Sequence, residues 1–266
     1  MPEHTRPRIL AITNQKGGVG KTTTAINLGA ALVALGQRIL IVDLDPQGNA
    51  STGLGLALRD RKITTYELMH EGATLASVIH KTGTAGLDLA PATTDLSSTD
   101  VALGDHENRI FLLKEALNTD ALAAYDHVLI DSPPSLSLLT VNALVASDAV
   151  LVPLQAEFFA LEGLSQLMLT IREIRETANP KLRIEGIVLT MFDQRNNLSL
   201  QVEADARATL GALVFDTRIP RNVRLGEAPS FGMPALAYDP TSKGSQAYQD
   251  LAAELLSRRA TRKEIA

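Results

Sequence analysis

Short apolar runs rich in β-branched residues alternate along the chain with longer stretches whose apolar positions recur at helical spacing. The runs are Ile9 to Thr13, Arg38 to Asp43, His127 to Asp131, Ala149 to Pro153, Ile184 to Thr190 and Leu213 to Phe215. They are close to continuously hydrophobic, which is the pattern of parallel strands covered on both faces. Helical spacing marks Thr22 to Leu35, Ser135 to Ala146, Leu161 to Thr177, Ser199 to Leu210 and Gln246 to Arg259. This alternation predicts βαβ units, and so an α/β fold with a single doubly wound, mostly parallel sheet flanked by helices. The stretch from Ser51 to Leu96 is less regular and richer in threonine, glycine and alanine. It reads as an insertion with short helices around Tyr66 to Met69 and Leu75 to His80. No repeat or linker divides the chain. The expected layout is a short flexible N-terminus (1–8), one domain (9–257) and a basic C-terminal tail (258–266).

Composition narrows the function classes. Hydrophobic residues are 45% of the 266, enough for a substantial core. No apolar run approaches the roughly 18 residues of a membrane span, and the polar N-terminus lacks a signal-peptide core, so a cytoplasmic protein is expected. Cysteine is absent, which excludes disulfides, thiolate zinc sites and cysteine-ligated iron–sulfur clusters. The formal charge of −5 argues against a uniformly basic nucleic-acid binder but leaves room for a local basic patch.

The strongest chemical signal follows the first strand: Asn14-Gln15-Lys16-Gly17-Gly18-Val19-Gly20-Lys21-Thr22-Thr23, leading directly into an amphipathic helix. Strand, loop and helix in this order are what a phosphate-binding loop requires. Glycines let the backbone wrap around phosphate oxygens, and inward N–H groups add to the positive end of the helix dipole. Lys21 is placed to reach the β- and γ-phosphates and the Thr22 hydroxyl to ligate Mg²⁺. The second strand delivers Asp43-Leu44-Asp45-Pro46-Gln47-Gly48-Asn49 at its C-terminal end, where open α/β sheets bind ligands. Alternation puts Asp43 and Asp45 on one side, suited to a metal's water shell and to orienting an attacking water. A third strand ends in Asp131, a Walker B carboxylate that would contact Mg²⁺ through water, and Ser132-Pro133-Pro134 follows as a stiff loop beside the γ-phosphate.

One departure is informative. The pattern G-x-x-x-x-G-K-[ST] would have glycine at position 15, where this chain has Gln15, and a second lysine, Lys16, opens the loop. In this the chain resembles the deviant Walker A ATPases, which include the ParA/Soj partition proteins, MinD and the nitrogenase iron protein. The resemblance runs from Ile9 to about Leu256. It implies ATP and Mg²⁺ as cofactors, Asp45 as the hydrolysis residue, Asp43 as support for the metal site, and Lys16 reaching the nucleotide of a second subunit in a sandwich dimer. The segments Pro153 to Gly163, Leu189 to Asn196 and Ile219 to Ser230 look like the chromosomal ParA/Soj branch. MinD-like chains differ there and end in a membrane-binding helix, and the nitrogenase branch needs cluster cysteines.

The resemblance further implies a cycle: an ATP-dependent homodimer binds double-stranded DNA without sequence preference, and a ParB-like partner stimulates hydrolysis and release, giving a nucleoid-associated protein. Three arginines from Arg218 to Arg224, with no acid among them, and Arg195 beyond another strand end fit phosphate neutralisation. Arg195, Arg221 and Arg224 match DNA-contact regions of the family, and Pro220 and Asn222 lie in the turn that holds adenine. The last helix, with leucines and alanines on its apolar side, is expected to pack on the sheet rather than lie on a membrane. The alternative functions are a MinD-like membrane-associated positioning ATPase and a metabolic enzyme on the same fold, the latter disfavoured by Lys16.

Overall fold

The apolar runs become strands of one sheet in the computed structural model, which describes residues 6–104, 106–157 and 160–265. Residues 1–5 of the expected flexible N-terminus, and Phe158 and Phe159 of the family-like segment, lie outside the described residues. The strands are β1 (Arg8–Ile12), β2 (Ile39–Asp43), β3 (His80–Lys81), β4 (Leu87–Ala90), β5 (His127–Asp131), β6 (Ala149–Gln155), β7 (Arg183–Phe192) and β8 (Val214–Pro220). Their spatial order is β3-β4-β2-β5-β1-β6-β7-β8. Every neighbouring pair is parallel except β3 with β4. A mostly parallel, doubly wound sheet is therefore present as expected.

Helices α1 (Lys21–Ala34), α2 (Asn49–Gly53), α3 (Thr65–His70), α4 (Leu75–Val78), α5 (Thr99–Ala102) and α6 (Leu112–Ala116) precede or flank β5. After it come α7 (Leu138–Ala146), α8 (Ala160–Thr177), α9 (Asn197–Leu210), α10 (Val223–Glu227), α11 (Ala235–Tyr238) and α12 (Lys243–Ile265). Alternate residues of β1 feed two cores. Ile9 and Ala11 join Leu144 of α7, Leu167 and Ile171 of α8 and Ala206 of α9 on one face. Leu10 and Ile12 join Leu28 and Leu32 of α1 and Tyr248, Leu251 and Leu255 of α12 on the other. The sandwich of helix, sheet and helix follows from strands that are apolar on both sides.

The structure differs from the sequence reading most in two places. The stretch from Ser51 to Leu96 carries its two short helices as expected, but it also supplies β4, which extends the parallel sheet beyond β2. Burial of Asp88 in mid-strand hides that strand from a hydrophobicity pattern; Tyr125 Oη and Lys81 Nζ, each 2.6 Å from its carboxylate, make the burial tolerable. The C-terminal helix continues to Ile265 rather than ending near Arg259. Arg258 and Arg259, read as the start of a basic tail, turn inward. Arg258 lies 4.2 Å from the Phe215 ring centroid and donates to the carbonyls of Ala212 and Val214. Arg259 donates to His127 Nε2 at 2.8 Å.

Candidate functional site

The C-terminal ends of β1, β2 and β5 converge where the strand order reverses, the place an open α/β sheet offers to a ligand. The loop after β1 wraps over this point. Gly20 sits at φ 89 as the residue before α1, and no side chain caps the helix. A left-handed glycine there leaves the first N–H groups of α1 open to an anion. Three long-range polar contacts hold the loop in shape. Asn14 Nδ2 donates to Pro153 O at 2.8 Å while its Oδ1 accepts from Lys16 N. Thr190, from the end of β7, donates to Val19 O at 2.8 Å. Ser132 donates to Ile12 O at 3.0 Å, tying the loop after β5 to the end of β1.

The two loop lysines have different surroundings. Lys21 is buried and its Nζ donates to Lys16 O at 3.0 Å. Burial lowers its pKa from the ordinary value, and the nearby Asp131 and Asp45 carboxylates oppose that shift. Lys16 is half exposed at the loop mouth, where its Nζ pairs with Glu157 beyond the end of β6. A partly exposed pair of this kind contributes modestly to stability and can be exchanged for another anion.

The three aspartates divide into two kinds. Both Asp43 oxygens are occupied: Oδ1 accepts from Asp45 N at 3.1 Å, and Oδ2 from Ser51 N at 2.9 Å and Ser51 Oγ at 2.7 Å. Complete burial raises its pKa to about 6 despite those hydrogen bonds. Asp131 is equally buried, yet neither of its oxygens has a hydrogen-bond partner. Desolvation and the neighbouring Asp43 push its pKa well above the carboxylate range; the Thr22 hydroxyl lies near enough to favour ionisation without completing a hydrogen bond. A buried carboxylate in this condition is unstable unless something positive or proton-donating faces it. Asp45 is nearly buried, with Oδ1 accepting from Gln47 N at 2.9 Å.

Among the described residues no three carboxylate or imidazole groups converge as a preformed metal cage. Thr22 and Asp131, with open coordination around them, instead suit a hard cation that keeps most of its waters and takes phosphate oxygens as further ligands. The orphaned Asp131 oxygens, the uncapped helix and Lys21 together fit a metal-bound nucleoside phosphate.

Beside the loop lies a cavity of about 240 Å³ lined by Gly20, Thr23, Met191, Pro220, Asn222 and Tyr248, among others. Pro220 and Asn222, expected at the base, therefore both line it. Asn222 Oδ1 is engaged as the cap of α10, accepting from Arg224 N at 3.0 Å. Met191 adopts φ 51, the one described non-glycine residue with positive φ, and so places local backbone strain at the cavity wall.

Of the expected DNA-contact arginines, Arg195 and Arg221 lie past the ends of β7 and β8, which pair at Phe192 and Pro220. Arg195 is exposed and bonded through Nε and Nη2 to Asp193, both at 3.0 Å. Arg221 is exposed and its backbone N–H donates to Phe192 O. Arg224 pairs with Glu227 at 2.6 Å and with Asp239 at 3.3 Å. Arg218 turns away, onto Glu203 and the Phe192 ring. Ser51 and Arg61 lie outside every motif named from the sequence, and Asn14, Glu157 and Thr190 lie within such segments but carry no assigned role there. Each has a partner far along the chain, which a local motif does not reveal.

A family model described as an AAA domain matches residues 7–184. The chromosome partitioning protein ParA of Caulobacter vibrioides is 56% identical over 252 residues, 94% of each chain. The chromosome-partitioning ATPase Soj of Thermus thermophilus is 51% identical over 251 residues, 94% of this chain and 96% of its own. Among solved structures, cobyrinic acid a,c-diamide synthase from Mycobacterium smegmatis, with a bound ATP analog and magnesium, superposes with a TM-score of 0.83 at 37% identity over 94% of both chains. With identity at this level across almost the whole chain, and with the phosphate loop intact, the chain belongs to the ParA/Soj family of chromosome-partitioning ATPases.

Proposed function

We propose that this ATPase partitions DNA as an ATP-gated dimer. ATP and Mg²⁺ bind at the loop after β1, two subunits close over the nucleotides, and the dimer binds duplex DNA without sequence preference until a ParB-like partner stimulates hydrolysis. Lys21 and the loop from Lys16 through Gly17, Gly18, Val19, Gly20, Thr22 and Thr23 hold the phosphates. Thr22 and Asp131 face the metal, while Asp43 supports them from behind and Asp45 orients the attacking water. When bound, the cation neutralises charge on the β- and γ-phosphates.

The observation that carries this reading is the position of Lys16. Its half-exposed side chain stands at the mouth of the loop and is paired with Glu157, which it can exchange for a phosphate on a second copy, while Lys21 lies buried beneath. The proximity of exposed Arg195 and Arg221 at adjacent strand ends supports a phosphate-binding face. The membrane-positioning alternative is not favoured, because the apolar side of α12 is already spent on the core: Tyr248, Leu251 and Leu255 are all buried there. No helix among the described residues is long and apolar enough to cross a membrane.

The experiment is binding to non-specific duplex DNA with ATP, ADP or no nucleotide, across a salt series, for the wild type and Arg224→Glu. Tight binding only with ATP, weakening steeply with salt and lost in the variant, is the expected result. An ATP-dependent dimer that binds no DNA in any state would overturn the DNA-linked half of the proposal.

A further inference from the structure

The turn that carries Asp45 rests on a buried guanidinium. Arg61 is only 8% exposed although its neighbours Arg59, Asp60 and Lys62 are on the surface. Its Nη1 donates to Ala92 O at 2.9 Å, Nη2 to Thr52 Oγ1 at 2.7 Å and to Leu56 O at 2.9 Å, and Nε to Leu56 O at 3.2 Å. Thr52 Oγ1 in turn donates to Gly48 O at 3.1 Å, and Gly48 N closes the turn by donating to Asp45 O at 2.8 Å. Gly48 itself closely approaches the guanidinium: at φ 60 it takes a left-handed conformation, and a Cβ there would overlap Arg61 Nη1. The other side of the turn is held by Ser51. Its Oγ donates to Asp43 Oδ2 and accepts from Ala92 N at 3.0 Å, while Asp43 Oδ1 receives Asp45 N.

We propose that Arg61 and Ser51 are positioning residues for hydrolysis, holding the Asp45 carboxylate at the angle its role requires; the inference rests on the assignment of Asp45 made above. The two side chains meet on one peptide, with Ser51 taking Ala92 N and Arg61 taking Ala92 O. The turn from Asp45 to Gly48 is thereby fixed from two directions to the end of β4. Burying a guanidinium whose hydrogen-bond acceptors are neutral carbonyls and a hydroxyl is costly; burial lowers its pKa, and the nearby Asp43 carboxylate opposes that shift. A plain surface turn has no need of such an arrangement. A carboxylate that must meet one water does, since a displacement of about 1 Å lowers rates by about a hundredfold.

The test compares single-turnover ATP hydrolysis, nucleotide affinity and thermal stability in Arg61→Ala, Arg61→Lys, Ser51→Ala and Asp45→Ala. Arg61→Ala and Ser51→Ala should hydrolyse bound ATP about tenfold or more slowly while their ATP affinity stays within about twofold of wild type. Millimolar guanidinium should restore part of the rate to Arg61→Ala. A purely structural role would lower the melting temperature and leave the hydrolysis rate intact below it, which would overturn the proposal. If Arg61→Ala does not fold, Arg61→Lys and Ser51→Ala carry the comparison. An inactive Asp45→Ala beside wild-type rates in the other variants refutes this inference alone. Fast hydrolysis by Asp45→Ala refutes the assignment of Asp45 and this inference with it.

Discussion

His127 offers a quantitative test of how the C-terminal helix is fixed to the sheet. It opens β5, is 1% exposed, and receives Arg259 Nη1 on Nε2 at 2.8 Å. A ring nitrogen that accepts from a guanidinium must keep its lone pair, so the folded state holds the imidazole neutral. Burial first, then Arg259 and Arg8, bring its pKa down to about 4, with Asp126 opposing. The ordinary value is about 6.5. A base whose folded pKa is depressed adds no penalty above the unfolded value and loses stability as the pH falls through the window between the two. For 6.5 and 4 the loss relative to neutral pH is about 2 kcal/mol at pH 5 and about 3 kcal/mol at pH 4.

The wild-type profile alone will not display this. Asp43 is shifted in the opposite sense, up to about 6, so its folded state gains stability as the pH falls across the same window. The two groups stand at opposite ends of the β2–β5 ladder, where Ile39 pairs with His127 and Asp43 with Asp131. Four strand residues separate them by about 13 Å, far enough for their effects to add. His127→Gln isolates the histidine, because a glutamine carbonyl can accept from Arg259 but does not titrate. The measurement is urea unfolding of both proteins between pH 7.5 and pH 4.5. The stability of wild type relative to the variant should fall by about 2 kcal/mol on going from pH 7 to pH 5. A difference that stays flat over that range would refute the buried neutral imidazole, and with it this anchor of α12.

Two shorter predictions concern the nucleotide site. Lys16→Ala should leave ATP affinity within about threefold, since a partly exposed pair with Glu157 contributes modestly to the loop, but should abolish the ATP-dependent dimer; light scattering that still shows the dimer contradicts the cross-subunit role. Asp131→Asn should raise stability in metal-free buffer by about 1–3 kcal/mol, because it removes a buried carboxylate with no hydrogen-bond partner, while eliminating Mg²⁺-dependent turnover. A lower melting temperature for that variant without metal would show that Asp131 is compensated after all.

The parts of this architecture legible in the sequence are those whose physics is local. The phosphate loop announces itself because glycine, lysine and threonine must be contiguous to wrap one anion. The central strands are legible because burial on both faces leaves an unbroken apolar run. β8 is legible only at Leu213 to Phe215, since as an edge strand it needs one partner alone and exposes Asp216. β4 and Arg61 were illegible for a related reason. Asp88 in a strand and Arg61 in a core each become acceptable only through partners far along the chain, Tyr125 for the one and Ala92 for the other. Arg258 and Arg259 are hidden in the same way, their acceptors being the carbonyls of Ala212 and Val214 for the one and the His127 ring for the other. Polar residues that are buried by long-range pairing read locally as solvated.

The charge balance of the site explains why nucleotide and metal should bind together. Asp131 and Asp45 act on one buried lysine, Asp43 lies beside both carboxylates, and burial holds Asp131 toward its protonated form. A triphosphate arriving alone would add several negative charges beside these carboxylates with only Lys21 and backbone dipoles to receive them. A divalent cation reverses the electrostatics: it favours the ionised Asp131 and screens that carboxylate from the phosphates. Each ligand therefore strengthens the other, and reciprocity requires the two coupling factors to be equal. Asp131→Asn should weaken that coupling from both sides, lowering the effect of Mg²⁺ on ATP affinity and of ATP on Mg²⁺ affinity by the same factor. A coupling factor unchanged in the variant would mean that the carboxylate serves the fold rather than the metal.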